Sequence, residues 1–266
     1  MITNKQIKEL AAWNRKSKAR REAGIFLAEG TKMFLEAPIE RIRNVFVSES
    51  FFATEAEENE KKELCLKKLE QTGYETVPEE TFKKISDTMT PQGILCVLSR
   101  MEYTLEDLLK KESPTLMILE DLQDPGNLGT IVRTGEGAGI DGVIMSRGCV
   151  DIYNPKTIRS TMGSLYRVPF LYTDDLEKTI LDLKDRGVHF FAAHLKGTAF
   201  YDEVDYSACG GIGFLIGNEG NGLKDATADL ADCYIKIPME GQVESLNAAI
   251  AASVLMYEAY RRKRQK

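Results

Sequence analysis

Residues 116–133 read LMILEDLQDPGNLGTIVR, and this stretch decides the fold class. Its four leading apolar residues form a short run that is typical of a buried strand. A Pro-Gly pair at 125–126 ends that run, and the pattern beyond it predicts a helix over 127–138 with Asn127 as its N-cap. A buried strand that leads into a helix is the repeating unit of an α/β fold with a mainly parallel sheet.

The same alternation continues to the end of the chain. Short apolar runs predict further strands, and the segments between them predict helices, the last of which is long and capped by Ser245. The predicted strands are 142–145, 168–171, 188–193, 212–216 and 234–237, and the predicted helices are 154–163, 174–186 and 245–262.

The first hundred residues predict a second, smaller α/β unit. It opens with a basic helix over 3–21, capped by Thr3, and contains an exposed charged helix over 54–71. The charged segment 101–114 ends at a proline and reads as a linker. We therefore predict a domain at 1–100, a linker at 101–114 and a larger domain at 115–266.

Composition excludes several classes of protein. The chain has 266 residues, 43% of them hydrophobic, yet no apolar stretch approaches the roughly 20 residues that cross a bilayer. Its first residues lack the apolar core of a secretory signal, so we expect a cytoplasmic protein with no membrane partner. The five cysteines form no CxxC pair, and for His189 and His194 a strand end is a better interpretation than a metal site.

Charge alone does not identify the partner. The net charge of −6 argues against nucleic acid when it is averaged over the chain, but the cations are clustered at both ends. Such clusters can follow a phosphate backbone, or they can be solvated helix faces. The clusters comprise Lys5, Lys8, Arg15, Lys16, Lys18, Arg20 and Arg21 near the start, and Arg261, Arg262, Lys263, Arg264 and Lys266 at the end.

Three segments of the second half each follow a predicted strand, where open α/β sheets bind ligands. The first is 120–134, with Asn127 and Arg133; the second is the glycine-rich loop at 214–223; the third is 235–252. Taken singly, they could be a helix cap, a tight turn and a well-packed helix. The glycines at 135–142 end a helix rather than open one, and no Gly-Lys-Ser/Thr follows the second segment, so neither a dinucleotide fingerprint nor a P-loop is present.

Together, in this order, the three segments resemble the signature motifs of the SpoU/TrmH RNA methyltransferases. The matching patterns are Asn-Leu-Gly-x-Ile-x-Arg-Thr from 127, Ile-Gly-Asn-Glu-Gly-x-Gly-Leu from 216 and Ile-Pro-Met-x-Gly-x-Val-x-Ser-Leu-Asn from 237. The first half is similar, over the shorter stretches 26–30 and 91–94, to the substrate-binding domain of members that act on ribosomal RNA.

This resemblance implies a deep trefoil knot in the C-terminal domain, a homodimer and S-adenosylmethionine as cofactor. It implies methylation of a ribose 2′-hydroxyl of ribosomal RNA, with 23S rRNA expected and with no DNA partner or metal. The alternatives are a transfer-RNA methyltransferase, a non-catalytic RNA-binding protein and, remotely, a nucleotide-binding oxidoreductase. By family position the catalytic residues are Asn127, Arg133, Glu219, Ser245 and Asn247, and the cofactor residues are Gly217, Ile237, Pro238, Met239 and Leu246.

Overall fold

A computed structural model describes residues 2–53, 59–206 and 209–264 of the chain. It divides into two compact units. The first comprises Met1–Met101 and Asp151–Tyr166, and the second comprises Glu102–Val150 and Arg167–Lys266.

The first unit is built on a four-stranded sheet with the order β1-β4-β2-β3. Strand β4 is antiparallel to both of its neighbours, whereas β2 and β3 are parallel. Its strands are β1 (Ile25–Glu29), β2 (Ile42–Ser48), β3 (Glu75–Val77) and β4 (Ile94–Ser99). Its helices are α1 (Asn4–Arg15), α2 (Ser17–Ala23), α3 (Thr31–Glu36), α4 (Glu49–Ala53), α5 (Asn59–Thr72), α6 (Glu79–Ile85) and α9 (Pro155–Thr161).

The N-terminal segment is two helices rather than the single helix predicted over 3–21. Thr3 caps α1 in a reciprocal capping box, as predicted. The helix then ends because Lys16 adopts an extended conformation, with φ −119° and ψ 112°. The break turns Arg20 inward, where its guanidinium donates to the carbonyl oxygens of Trp13 and Asn14. Arg20 is therefore a structural cation and not part of a solvated basic face.

The predicted helix over 54–71 is described only from α5 onwards, since 54–58 lie outside the described residues.

Residues 151–166 lie between two strands of the second unit in sequence but pack within the first unit. The ring of Tyr153 stacks on Phe26, with 4.7 Å between centroids, and its hydroxyl donates to the carbonyl oxygen of Met101 at 2.8 Å. Asp151 pairs with Arg20 at 2.5 Å. Residues 151–166 thus belong to the same compact unit as the N-terminal residues. The domain boundaries predicted from the sequence stay a prediction.

The second unit contains a seven-stranded, fully parallel sheet with the order β7-β6-β5-β10-β8-β11-β9. The α/β class and the parallel sheet are therefore confirmed. Its strands are β5 (Thr115–Leu119), β6 (Gly142–Ser146), β7 (Phe170–Thr173), β8 (Val188–Ala193), β9 (Ala199–Phe200), β10 (Gly211–Ile216) and β11 (Cys233–Lys236). Its helices are α7 (Leu105–Leu108), α8 (Pro125–Ala138), α10 (Leu176–Asp185), α11 (Asp225–Ala228) and α12 (Ala248–Arg264).

Every residue of the central strands β5 and β10 is buried, because helices cover both faces of the sheet. Helix α10 packs on one face through Leu176, Ile180 and Leu183, while α12 packs beside α8 and against β10. The elements that the sequence did not predict are β9, α7 and α11, each of four residues or fewer, too short for a periodic pattern. The buried central strands β5 and β10 thus fix the position of the loops that follow them.

Within the described ranges, no helix is both long enough and apolar enough to span a membrane. The same ranges contain no cluster of three or more His, Cys, Asp or Glu side chains placed to hold a metal ion.

We predict that Asp151→Ala lowers the free energy of unfolding by about 3 kcal/mol, because it leaves the Arg20 guanidinium, which is 3% exposed, without its ion partner. Urea titration followed by far-UV circular dichroism measures the change. The control is Lys18→Ala, which removes an exposed ion pair with Glu22 and should cost less than about 1 kcal/mol. Equal losses for the two variants would contradict this role of Arg20.

Candidate functional site

The three singled-out segments meet at the carboxyl ends of three strands of the same sheet, β5, β10 and β11. Strand β5 leads into the turn before α8, β10 leads into the loop 217–224, and β11 leads into the irregular segment 237–247. Because all strands are parallel, these loops emerge at one edge of the sheet. The structure thereby brings together residues that are about 90 to 120 positions apart in sequence.

The carboxylate of Glu219 forms the central hydrogen bonds of the site. One of its carboxylate oxygens accepts from the backbone N–H of Asp124 at 2.9 Å and from the Asn127 side chain at 3.0 Å. The other oxygen accepts from the backbone N–H of Gln123 at 3.0 Å. A single carboxylate therefore fixes the loop after β10 to the turn that precedes α8.

Asn127 extends this network to the third segment, since its side-chain oxygen accepts from the Asn247 amide at 3.0 Å. The oxygen of Asn247 in turn accepts from the backbone N–H groups of Ala249 and Ile250 at the start of α12. An ionised carboxylate can only accept, so Glu219 fixes which end of each amide faces which partner. Every donor in the chain therefore points toward the charge on Glu219, and the hydrogen bonds reinforce one another.

Two caps differ from the sequence predictions. Helix α8 begins two residues earlier than predicted and is capped by Asp124, whose side chain accepts from the backbone N–H of Asn127. Helix α12 begins at Ala248, and its cap is Asn247 rather than Ser245. The start of α8 follows local signals, the Asp124 cap and Pro125 in its first turn, whereas the Asn247 cap of α12 is also held by Asn127.

The charge on Glu219 is stabilised by this arrangement. Partial burial disfavours the ionised form and raises the pKa of Glu219. The hydrogen bonds from Asn127, Gln123 and Asp124 favour the ionised form more strongly, so the pKa lies below its ordinary value. Glu219 is therefore a carboxylate at neutral pH and a weak proton acceptor.

Arg133 and Ser245 stand apart from the network. Both are exposed, and neither forms a hydrogen bond or ion pair with a described residue. Arg133 lies on α8 about 9 Å along the axis from Asn127 and about 120° around it. Its guanidinium is free to bind an anion from solution.

The predicted cofactor residues lie on the two loops that follow β10 and β11. Gly217 is buried, and a Cβ atom there would lie 2.1 Å from the backbone carbon of Gly222, so only glycine fits. Ile237, Met239 and Leu246 are half-buried, whereas Pro238 is exposed.

The segment 237–246 forms no hydrogen bond with any residue that the structure describes. Its backbone N–H and C=O groups are therefore available to a ligand. Such donors and acceptors beside half-buried apolar side chains fit a ligand with a polar, adenosine-like body.

Sequence reasoning missed the roles of two residues at this edge of the sheet, Glu120 and Asp121, whereas a third, His194, lies at a strand end as predicted. Glu120 and Asp121 follow β5 and contact the loop after β10, and His194 follows β8, which lies between β10 and β11. His194 accepts from the N–H of Lys196 through Nδ1 and lies against the ring of Tyr234. Predicting that these residues lie together would have required the order of strands in the sheet, which the sequence does not give.

The family model for the SpoU rRNA methylase family matches residues 114–257, which is more than half of the chain. The chain belongs to this family. A second model, the MRM3-like substrate binding domain, matches residues 4–96. The motifs of this SpoU protein are thus the segments that the structure joins through Glu219.

Known relatives are similar over most of the chain. The 23S rRNA (guanosine(2553)-2′-O)-methyltransferase RlmP of Bacillus subtilis is 36% identical over 67% of this chain and 69% of its own length. The AdoMet-bound rRNA methyltransferase of Sinorhizobium meliloti is 29% identical, with a TM-score of 0.82 over 98% of this chain and 96% of that one. The TrmH/SpoU tRNA modifying enzyme of A. aeolicus is 26% identical, with a TM-score of 0.51 over 60% of this chain and 80% of that one.

We predict that Glu219→Gln lowers the free energy of unfolding at pH 7 by about 1 to 2 kcal/mol, because charge-assisted hydrogen bonds are lost. The folded-state pKa of Glu219 is lowered, so the stabilisation is present above its ordinary pKa of about 4.3 and is lost as the pH falls through the lower folded value.

Urea titrations at a series of pH values test this dependence. Glu106→Gln, which removes an exposed carboxylate paired with Arg186, is the control and should change stability by less than about 1 kcal/mol. A difference between the native protein and Glu219→Gln that persists unchanged below pH 3 would show that the charge is not responsible.

Proposed function

We propose that this protein transfers the methyl group of S-adenosylmethionine to a ribose 2′-hydroxyl of ribosomal RNA, with 23S rRNA as the substrate. The observation that carries the proposal is the network through Glu219, Asn127 and Asn247, which joins three motifs of an RNA methylase family at the ligand-binding edge of a parallel sheet. Similarity to an AdoMet-bound rRNA methyltransferase supports the cofactor.

The segment 237–246 and Gly217 would hold the cofactor. Ile237 and Leu246, which are half-buried, would supply apolar contacts, Pro238 and Met239 would flank the cofactor, and the backbone groups without a described partner would bind its polar atoms. When bound, the cofactor supplies a methyl group on a positively charged sulfur, which is already a strong electrophile. The negative charge on Glu219 suits a site that receives a cation.

The chain's own residues mainly align the reacting atoms. Asn127, which is half-buried, and Asn247, which is exposed, are held in fixed orientations, so their amides can position the ribose. Glu219 is a poor general base because its lone pairs are engaged and its pKa is lowered. Arg133 cannot act as a base either, since a guanidinium in a protein has no lone pair with which to accept a proton.

Arg133 instead binds an RNA phosphate and stabilises the charge that develops on the ribose oxygen. Ser245 lies within the segment 237–246 with an uncommitted hydroxyl, and we assign it to substrate binding. The proton of the ribose hydroxyl leaves to water, to which this edge of the sheet is open.

The N-terminal unit is the feature that favours ribosomal RNA over transfer RNA. The rRNA methyltransferase of Sinorhizobium meliloti matches 98% of this chain, whereas the tRNA modifying enzyme of A. aeolicus matches only 60%. Helices α1 and α2 also carry exposed cations without a described acidic partner, and these can bind phosphates. They are Lys8, Arg15, Lys16 and Arg21.

We further propose that the domains divide as 1–100, 101–114 and 115–266, and that the protein is a cytoplasmic homodimer. An exposed apolar face on α12, formed by Ile250, Tyr257 and Tyr260, supports a dimer contact. We also propose that the segment after β11 forms a trefoil knot. The return of the chain from β11 to α12, which packs beside α8, supports this proposal.

A methyl-transfer assay tests the function. Purified protein and tritiated S-adenosylmethionine are offered unmodified ribosomal RNA and unmodified transfer RNA, and the label is mapped by resistance to alkaline cleavage. We expect label in one alkali-resistant dinucleotide of 23S rRNA. Label in transfer RNA would instead identify transfer RNA as the substrate. If cofactor binding is confirmed but neither free RNA nor added ribosomal subunits become labelled, the result would favour a non-catalytic RNA-binding protein.

We predict that Arg133→Lys lowers kcat by about 100-fold or more, because the planar guanidinium and its two parallel hydrogen bonds are lost although the charge is kept. Steady-state methyl transfer measures the effect. Arg186→Lys, at an exposed arginine paired with Asp182 and Glu106, is the control and should retain activity. Near-normal turnover by Arg133→Lys would contradict the proposed phosphate clamp.

A further inference from the structure

Asp121 adopts an unusual backbone conformation next to the proposed cofactor loop. Its φ of +51° lies in the left-handed region, and only one other described non-glycine residue, Met162, shares a positive φ. For a side chain with a Cβ atom this conformation is strained, although aspartate tolerates it better than most residues. Strain of this kind persists where surrounding contacts impose it, often at functional sites.

The contacts that impose it come from the side chain and the backbone. One carboxylate oxygen of Asp121 accepts from Ser146 at 2.8 Å, and the other accepts from the ammonium of Lys224 at 2.7 Å. Its carbonyl oxygen accepts from the side chain of Asn218 at 2.9 Å. Gly148 leaves room for the carboxylate, since a Cβ atom there would lie 2.0 Å from Asp121.

Glu120, the residue before Asp121, also binds the loop after β10. Its carboxylate is buried and accepts from the backbone N–H of Lys224 at 2.8 Å and from the hydroxyl of Thr227 at 2.6 Å. The loop after β10 is thus bound at its start, through Asn218, and at its end, through Lys224, to two consecutive acids that follow β5.

We propose that Asp121 and Lys224 form a clamp that sets the position of the loop 217–224, and with it the affinity for the cofactor. Asp121 is a positioning residue in this proposal, because it acts on Gly217 and Glu219 through the loop. The inference rests on the proposed function, since it assumes that this loop binds S-adenosylmethionine.

Electrostatics supports the clamp. The hydrogen bond from Lys224 and then that from Ser146 lower the pKa of Asp121, and the hydrogen bond with Asp121 raises the pKa of Lys224. Both groups are therefore charged at neutral pH. Lys224 is 63% exposed, so the pair would contribute little to stability, and its orienting effect on the loop is the better explanation for the geometry.

Glycine and asparagine at position 121 separate the backbone role from the carboxylate role. Glycine adopts a positive φ without strain, so a purely conformational role predicts that Asp121→Gly binds the cofactor as well as the native protein. The clamp predicts instead that Asp121→Gly raises the Kd for S-adenosylmethionine by about tenfold. Asp121→Asn tolerates the same φ and can accept from Ser146, so it tests the loss of the carboxylate charge that pairs with Lys224.

Calorimetric titration of S-adenosylmethionine and hydrogen exchange of the free protein provide two independent readouts. We expect weaker binding and faster amide exchange across 217–224 in Asp121→Gly, Asp121→Asn and Lys224→Met. The Lys224 ammonium also lies 3.6 Å from the buried carboxylate of Glu120, so Lys224→Met removes both ion pairs. The double variant Asp121→Asn with Lys224→Met should therefore bind no more weakly than Lys224→Met alone, because Lys224→Met already removes the contact with Asp121. Thermal unfolding confirms that each variant is folded.

Lys196→Met is the matched control, because Lys196 forms a more exposed ion pair with Asp225 at 3.9 Å, and it should bind the cofactor as the native protein does. Native affinity and native loop exchange in Asp121→Gly and Lys224→Met would overturn the clamp. Failure of the native protein itself to bind S-adenosylmethionine would overturn the proposed function, while the exchange data on the free protein would still test the clamp.

Discussion

The ionised carboxylate of Glu219 accepts hydrogen bonds from two backbone N–H groups and one side-chain amide, and the geometry of the site depends on these contacts. Because the carboxylate can only accept, it sets the orientation of Asn127, which sets the orientation of Asn247, which caps α12. One charge thus links the starts of two helices to a glycine-rich loop.

The loop that carries Glu219 needs its own support, since a turn with closely approaching backbone has few side chains to pack. Asn218 supplies part of it by accepting from the N–H groups of Gly220 and Asn221. Glu120 and Asp121 supply the rest from the end of β5. The central, fully buried strand of the sheet thereby transmits its fixed position to the site.

The two basic clusters serve different purposes. At the C-terminus, Arg261 and Arg262 both bind the buried carboxylate of Glu258, and Lys263 donates to the Ser113 carbonyl oxygen and the Thr115 hydroxyl. These cations stabilise the end of α12. At the N-terminus most of the basic side chains are exposed and only Arg20 is buried. The cations available to a phosphate backbone are therefore concentrated on α1 and α2.

The sequence by itself determined the α/β class, the main strands and the three motifs, since a buried parallel strand is a local apolar run and a family motif is a local pattern. It did not determine where α12 begins or that Lys16 interrupts the N-terminal helix, because Asn247 and Arg20 are held by partners far away in sequence. The start of α8 was available from the local Asp124 cap and Pro125, but the prediction placed it at Asn127. Nor did the sequence assign residues 151–166 to the first compact unit, because their packing on β1 depends on contacts such as that of Tyr153 with Phe26. The strand order, and with it the roles of Glu120 and Asp121, arose only in the tertiary structure, because hydrogen bonding between strands pairs segments about 100 residues apart without a local signal.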